Sequence, residues 1–283
     1  MKKSRSDSHS PQPSFERTVY NLIKAIFFDI DGTLVSFQTH AIPESTKRAL
    51  CAVREHGVRL FIATGRHRLL IEEGNILEGF PFDGYVTLNG QFCYTTAGEV
   101  IHEARIEPAD VAGLLARLDE KPSACLLIER DRMYANLIDE HVQRAWSAVK
   151  FSTPPLGDVK QALHNNIYQI NLFLPQEQEA FYLDAMPHSA ATRWSPYFSD
   201  IGPSGGSKAV GIEKLAAHFS IPMSDVMAIG DGENDIDMLR AAGIGVAMGN
   251  ASDAVKRAAD YITTDVDHDG IINAFKQFFP FIF

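Results

Sequence analysis

The stretch Ala25-Ile26-Phe27-Phe28-Asp29-Ile30-Asp31-Gly32-Thr33 decides the fold. Its first four residues are apolar without alternation, which reads as a strand buried on both faces, and the Asp-Gly step marks where that strand ends. Two carboxylates spaced i, i+2 close the strand, and Lys24 is the one basic residue within seven positions on either side. Acids placed this way are unfavourable alone and call for a cation, most simply a metal. Taken by itself, the same D-x-D-G pattern also fits a solvated turn or the opening of a calcium loop, although residues 34–40 supply no further ligands at calcium-loop offsets.

Outward from this stretch, strands and helices alternate. Pro43–His56 reads as a helix, with Ala49, Leu50 and Val53 on one face and Gly57 as its stop. Val58–Ala63 reads as a second apolar strand ending in Thr64-Gly65-Arg66, followed by a helix to about Leu77. Tyr85–Leu88 reads as a third strand, ending in Asn89-Gly90. Continuous apolar strands separated by helices predict a parallel sheet covered on both faces. The pattern then changes. Gln91–Tyr94 with Val100–Ile106, and Ala124–Ile128 with Met133–Leu137, read as antiparallel hairpins. Helices are expected at Pro108–Glu120, Asp139–Lys150 and Gln176–Met186, and a strand at Tyr168–Leu174. After Gly205-Gly206 the first pattern returns, with helices at Ser207–Phe219 and Glu233–Ala242 and strands at Val226–Ile229, Ile244–Ala247 and Tyr261–Thr263.

The expected organisation is therefore a flexible tail (1–20), the first part of an α/β core (21–89), an inserted α+β module (90–192) and the second part of the core (193–283). Trp194 and Tyr197 would pack where the module rejoins the core.

Composition narrows the function. The chain has 283 residues, 45% of them hydrophobic, and a net charge of −10; its pI is near 5.4. An acidic balance argues against a nucleic-acid footprint or a basic membrane patch. It leaves room for a phosphorylated substrate, because a metal and a lysine can reverse the field inside one cleft. Three scattered cysteines (Cys51, Cys93, Cys125) and no secretory signal fit free thiols in a cytoplasmic protein. No apolar run approaches the ~20 residues of a membrane helix. A monomer fits the sequence.

Functional crevices of parallel sheets lie outside the carboxyl ends of the strands. Four such ends here carry polar residues: Asp29-Ile30-Asp31, Thr64-Gly65-Arg66, Asn89-Gly90 and Asp231 to Asp235. Carboxylates from facing strand ends fit an oxygen-only site for a hard cation, and Mg²⁺ suits such a site. A second acidic run, Asp265-Val266-Asp267-His268-Asp269-Gly270, matches the first half of a calcium loop but has Lys276 at the twelfth position, where a bidentate glutamate is required.

D-I-D-G-T, then T-G-R, then the lysine of G-G-S-K, then G-D-G-E-N-D resembles, in order and spacing, the four motifs of the haloacid dehalogenase superfamily. The resemblance covers about residues 24–275. L-N-G, G-D-x-x-N-D-x-x-M-L, G-V-A-M-G-N-A and a late D-G-I are similar to its Cof-type branch, in which a large α/β cap is inserted between the second and third motifs. Within that branch the chain looks most like the members that hydrolyse hexose phosphates. The resemblance implies a Rossmann-like core and a Mg²⁺-dependent phosphatase of small phosphorylated metabolites. Asp29 would be the nucleophile and Asp31 the acid and base. Thr64, Gly65, Lys208 and Asn234 would hold the phosphoryl group. The metal would be held by Asp29, the Asp31 carbonyl and Asp231, with Asp235 in support. The cap would select the leaving group, and Arg130, Arg132, Tyr134, Asn136, Tyr168, Asn171 and Arg193 are its polar candidates. A phosphotransferase or mutase using the same intermediate, a non-catalytic phosphometabolite-binding regulator and a phospho-receiver domain are the alternatives. The inserted module and the D-x-D spacing oppose the last.

Overall fold

The computed structural model describes residues 23–149, 153–193 and 195–283. The expected tail, Lys150 at the end of one expected helix, and Trp194 lie outside them. The chain begins with β1 (Ala25–Phe28), α1 (Glu44–Glu55), β2 (Arg59–Ala63), α2 (Arg68–Glu73) and β3 (Gly84–Thr87), then a hairpin of β4 (Phe92–Thr95) and β5 (Val100–Glu103). It continues through α3 (Pro108–Glu120), β6 (Ala124–Ile128), β7 (Met133–Ala135), α4 (Glu140–Val149), β8 (Gln169–Phe173), α5 (Glu179–Leu183), β9 (Ser189–Thr192) and β10 (Ser199–Pro203). It ends with α6 (Lys208–His218), β11 (Val226–Gly230), α7 (Ile236–Ala241), β12 (Ile244–Ala247), α8 (Asp253–Lys256), β13 (Tyr261–Ile262) and α9 (Gly270–Phe278).

An eight-stranded sheet runs in the order β13-β12-β11-β1-β2-β3-β4-β5. β1 is central and pairs in parallel with both neighbours, Phe27 lying opposite Ala228 and Phe61. All four of its residues are buried because helices cover both faces. Ile26 and Phe28 pack with Ala49, Leu50 and Val53 of α1 and Phe275 of α9. Ala25 and Phe27 pack on the other side with Ile212 and Leu215 of α6 and Met238 of α7. A separate antiparallel sheet, β7-β6-β8-β10-β9, forms the second layer system. Leu127 and Ile170 face Val111 and Leu114 of α3. The opposite face of that sheet meets Val142 and Trp146 of α4 together with Leu88 and Phe92 from the first sheet.

Sheet membership departs from the expected 90–192 module at both ends. The hairpin β4–β5 extends the eight-stranded sheet, because Phe92–Thr95 pairs antiparallel to β3 and the Tyr85 and Tyr94 rings stack at 5.0 Å. At the other end, β10 belongs to the smaller sheet although it lies beyond residue 192. Two expected helices are shorter or broken. Residues 176–186 divide into a 3₁₀ turn and α5, and residues 233–242 into a 3₁₀ turn and α7. The late acidic run closes on itself: Asp265 accepts from the Asp267 amide at 2.9 Å and from the His268 ring.

Past β3, Leu88, Asn89 and Gly90 are successively left-handed, with φ of 52°, 53° and 100°. Gly90 is required here twice over. It carries a positive φ, and a Cβ would collide with the Ser207 carbonyl. The point where the chain leaves the parallel strands is thus packed against the point where it returns. Among the described residues, no helix is long and apolar enough to cross a membrane.

Candidate active site

The parallel strands β1, β2, β3 and β11 deliver Asp29, Thr64, Asn89 and Asp231 to one sheet edge, the edge where open α/β sheets bind ligands. Asp29, Asp31, Thr64, Gly65, Asp231 and Asn234 line a single cavity of about 470 Å³. Lys208 opens α6 just behind it. Its Nζ donates to Asp29 Oδ1 and to Asp235 Oδ1, each at 2.6 Å, and the residue is fully buried.

Asp235 is also fully buried, and both its oxygens are engaged: Oδ2 accepts from the backbone N–H groups of Asp231 (3.0 Å) and Gly232 (2.8 Å). It thereby shapes the loop that presents Asp231. Thr33 donates to Asp231 Oδ1 at 2.7 Å, and Asn250 donates to Asp231 Oδ2 and to the Gly32 carbonyl, both at 3.0 Å. Gly32, with φ of 82°, turns the chain under Asp231, where a Cβ would strike that carboxylate.

Carboxylate oxygens of Asp29, Asp231 and Asp235 all lie within 4.8 Å of one another. One buried ammonium does not balance them, and the excess appears in the proton affinities of Asp29 and Asp231. Burial raises Asp29 well above the usual carboxylate range. Lys208 opposes that rise, and Asp235, Asp231 and Asp31 add to it. Burial, and then Asp235, push Asp231 up to about 7, with the Thr33 hydrogen bond opposing. Lys208 is pulled down by burial, but Asp235 and Asp29 more than reverse this and hold it charged. Converging oxygens with surplus negative charge fit a hard divalent cation, and Asp29 and Asp231, which face the cavity, could hold it.

Asp31 is taken by a residue to which the sequence assigned no role. Arg66 donates to it twice, from Nε at 2.6 Å and from Nη2 at 2.5 Å, a bidentate fork that fixes the carboxylate plane. Thr64 accepts from the Arg66 amide at 3.1 Å and so shapes the same turn. On the far side of the cavity, Asn234 donates to Asn89, and Asn89 donates at 2.9 Å to Asp200, a buried carboxylate on β10 of the smaller sheet. Asn171 on β8 donates to the other Asp200 oxygen. This chain of side chains joins the two sheets directly above the site.

The seven polar candidates of the inserted module separate clearly. Arg193 lines the cavity, anchored by Glu179 and by the Leu174 carbonyl at 2.9 Å. Asn171 reaches the site through Asp200. The others are used elsewhere. Arg130 lies over the Phe92 ring, and Arg132 forks onto Glu129. Tyr134 is buried in the module core, and Asn136 binds the backbone of Ser123 and Cys125. Tyr168 donates to Glu103 at 2.8 Å.

The family model for haloacid dehalogenase-like hydrolases matches residues 26–275. The Bacillus subtilis protein named "Putative phosphatase YkrA" is 36% identical over 255 residues, covering 90% of this chain and 97% of its own. The pyridoxal phosphate phosphatase YbhA of Escherichia coli is 31% identical, over 88% and 96% of the two chains. Among solved structures, the subclass IIB sugar phosphatase BT4131 superposes with a TM-score of 0.82 at 38% identity, covering 92% of this chain and all of that one. The chain belongs to the haloacid dehalogenase-like hydrolases and is a phosphatase of that family's subclass IIB.

Proposed function

We propose that the protein is a Mg²⁺-dependent phosphomonoesterase that hydrolyses small sugar phosphates through an aspartyl-phosphate on Asp29. The observation that carries this reading is Lys208. One fully buried ammonium lies 2.6 Å from both Asp29 and Asp235, beside a cavity that Thr64, Gly65 and Asn234 also reach. That arrangement supports in-line attack on a phosphoryl group whose charge is neutralised from one side. Asp29 Oδ attacks phosphorus, the bond to the leaving oxygen breaks, and Asp31 supplies the proton that oxygen needs. Water then attacks phosphorus, Asp31 takes its proton, and Asp29 and inorganic phosphate are released. The Arg66 fork takes up both Asp31 oxygens, so one of them must leave the fork to carry the proton in each transfer. Lys208, Thr64, the Gly65 backbone and Asn234 hold the phosphoryl oxygens. Asp29, the Asp31 carbonyl and Asp231 would hold Mg²⁺, which would supply further charge neutralisation at the phosphoryl oxygens. The sugar assignment is supported by the likeness to BT4131, a sugar phosphatase.

The test is phosphate release from a panel of sugar, aryl and nucleoside phosphates, with Mg²⁺ and with EDTA. Release from sugar phosphates that stops with EDTA is expected, and Asp29→Asn should lower kcat by about a thousandfold or more. No metal-dependent release from any ester would sink the reading, and wild-type turnover in Asp29→Asn would sink the nucleophile.

A further inference from the structure

A second cavity, of about 320 Å³, lies behind Asn234, between the eight-stranded sheet and the underside of the smaller one. It touches Lys208 and shares Glu233 and Asn234 with the first cavity. Four amide side chains line it: Asn234, which donates to Asn89, Asn89, which donates to Asp200, and two glutamines, Gln91 just before β4 and Gln169 at the start of β8. The glutamines are only 4% and 3% exposed, yet neither side chain has a hydrogen-bond partner among the described residues, and Gln91 Oε1 is completely enclosed. Buried amides are rarely left this way, since each unmet group carries a desolvation cost that a ligand or water would remove. Room for the Gln91 amide is kept by two glycines. A Cβ on Gly202 or Gly206 would come within 2.6 or 2.8 Å of its Nε2. The other polar walls include Thr192, Asp200 and Asp237, with Lys208 at the border with the first cavity, and no aromatic ring lines the space.

We propose that Gln91 and Gln169 are specificity-determining residues that bind neutral hydroxyl groups of the leaving alcohol, and that the acids around them exclude a second phosphate. The inference rests on the phosphomonoesterase reading above. Amides both donate and accept, as hydroxyls do, so one polyol can satisfy both glutamines. A second phosphate would face Asp200, Asp237 and Glu233, while Lys208, between Asp29 and Asp235, serves the phosphoryl group that is transferred. A flat aromatic leaving group would find no stacking partner here.

The experiment compares kcat/KM for a hexose 6-phosphate, the same hexose 1,6-bisphosphate and p-nitrophenyl phosphate. The wild type is expected to favour the monophosphate over the bisphosphate by about tenfold or more. Gln91→Met and Gln169→Met should each lower the hexose-to-aryl ratio of kcat/KM about tenfold, the loss of one hydrogen bond to a site built for it. Gly202→Ala, whose Cβ displaces the Gln91 amide without touching its chemistry, should lower the same ratio and covers the case in which a glutamine variant fails to fold. An unchanged ratio in all three variants overturns the proposal, as does an equal fall for hexose and aryl esters or a bisphosphate turned over as well as the monophosphate. Wild-type turnover of the aryl ester with no sugar phosphate overturns the subsite and leaves the phosphatase reading standing. No turnover of any ester overturns that reading and the subsite with it.

Discussion

Replacing Lys208 by methionine tests the electrostatic design of the site through stability, independently of any substrate. Methionine keeps most of the buried stem and deletes the charge. The ammonium it removes sits 2.6 Å from Asp29 and 2.6 Å from Asp235, with no exposure to water, so both carboxylates lose their buried counter-charge. Breaking a buried pair in this way costs about 3–5 kcal/mol. At roughly 2–4 °C per kcal/mol for a chain of this size, the melting temperature should fall by about 6–20 °C at pH 8 in EDTA. The fall should depend on pH. Asp231 already has a folded-state pKa raised from 3.8 to about 7, and Asp29 is raised as well, so the folded protein binds protons that the unfolded chain releases. Stability from such groups is greatest below the ordinary carboxylate pKa and is lost as pH rises through the raised one. Without Lys208, Asp29 and Asp231 rise further, and protons can replace the missing charge at pH 5 but not at pH 8. Lys208 itself, held above the ordinary lysine value by Asp235 and Asp29, is charged at both. The destabilisation should therefore be larger at pH 8 by at least about 1.4 kcal/mol, the equivalent of one pKa unit. Thermal or urea unfolding of both proteins at the two pH values measures this, and equal destabilisation at pH 5 and pH 8 would refute the charge argument.

Three further outcomes follow from the same geometry. Mg²⁺ affinity should rise with pH through about 7, because binding must displace the proton held by Asp231, and Asp29 is raised as well; calorimetry in buffers of different ionisation heat should show proton release at pH 6, and a pH-independent affinity with none would contradict it. Cys93 and Cys125 are buried with thiols pushed up to about 12, whereas Cys51 is exposed, so one thiol should react with a disulfide reagent at pH 8 and the other two only after unfolding; three equal native rates would be inconsistent with the packing. Arg193→Ala should cost about 1–3 kcal/mol by stranding Glu179, a loss that Glu179→Gln in the same background should partly restore in urea unfolding.

The core was legible because its strands are apolar without interruption and each ends in residues that chemistry, not packing, demands. Asp29, Thr64 and Asp231 could be placed on one edge from topology alone. The smaller sheet was harder to read. Ser189–Thr192 and Ser199–Pro203 pair as strands although Ser-Ala-Ala and Gly-Pro carry little strand propensity, since β10 adds to the apolar β8 and β9 then adds to β10. The hairpin β4–β5 was seen as a hairpin, but its sheet was not, because a two-strand pattern does not say which edge it joins. Side-chain partners were the least legible. Nothing in T-G-R reveals that Arg66 forks onto Asp31. Asp200 lies 111 residues from Asn89, so their bond exists only once both sheets are docked. Only residue type marks the arginines and tyrosines of the insertion, and most are spent on local rings, turns and backbone.

The contact between Gly90 and the Ser207 carbonyl bears on how such a chain can be elaborated. For the parallel strands, everything between those two residues is a closed loop with its ends pinned together. The entropy of closing a loop grows only with the logarithm of its length, each doubling costing about 0.6 kcal/mol. Segments between β5 and Ser207 can therefore lengthen, shorten or be exchanged while the strand order and the four strand ends at the site stay in register. The neck at Gly90 thus separates the strands that line the site from a segment whose length they do not dictate.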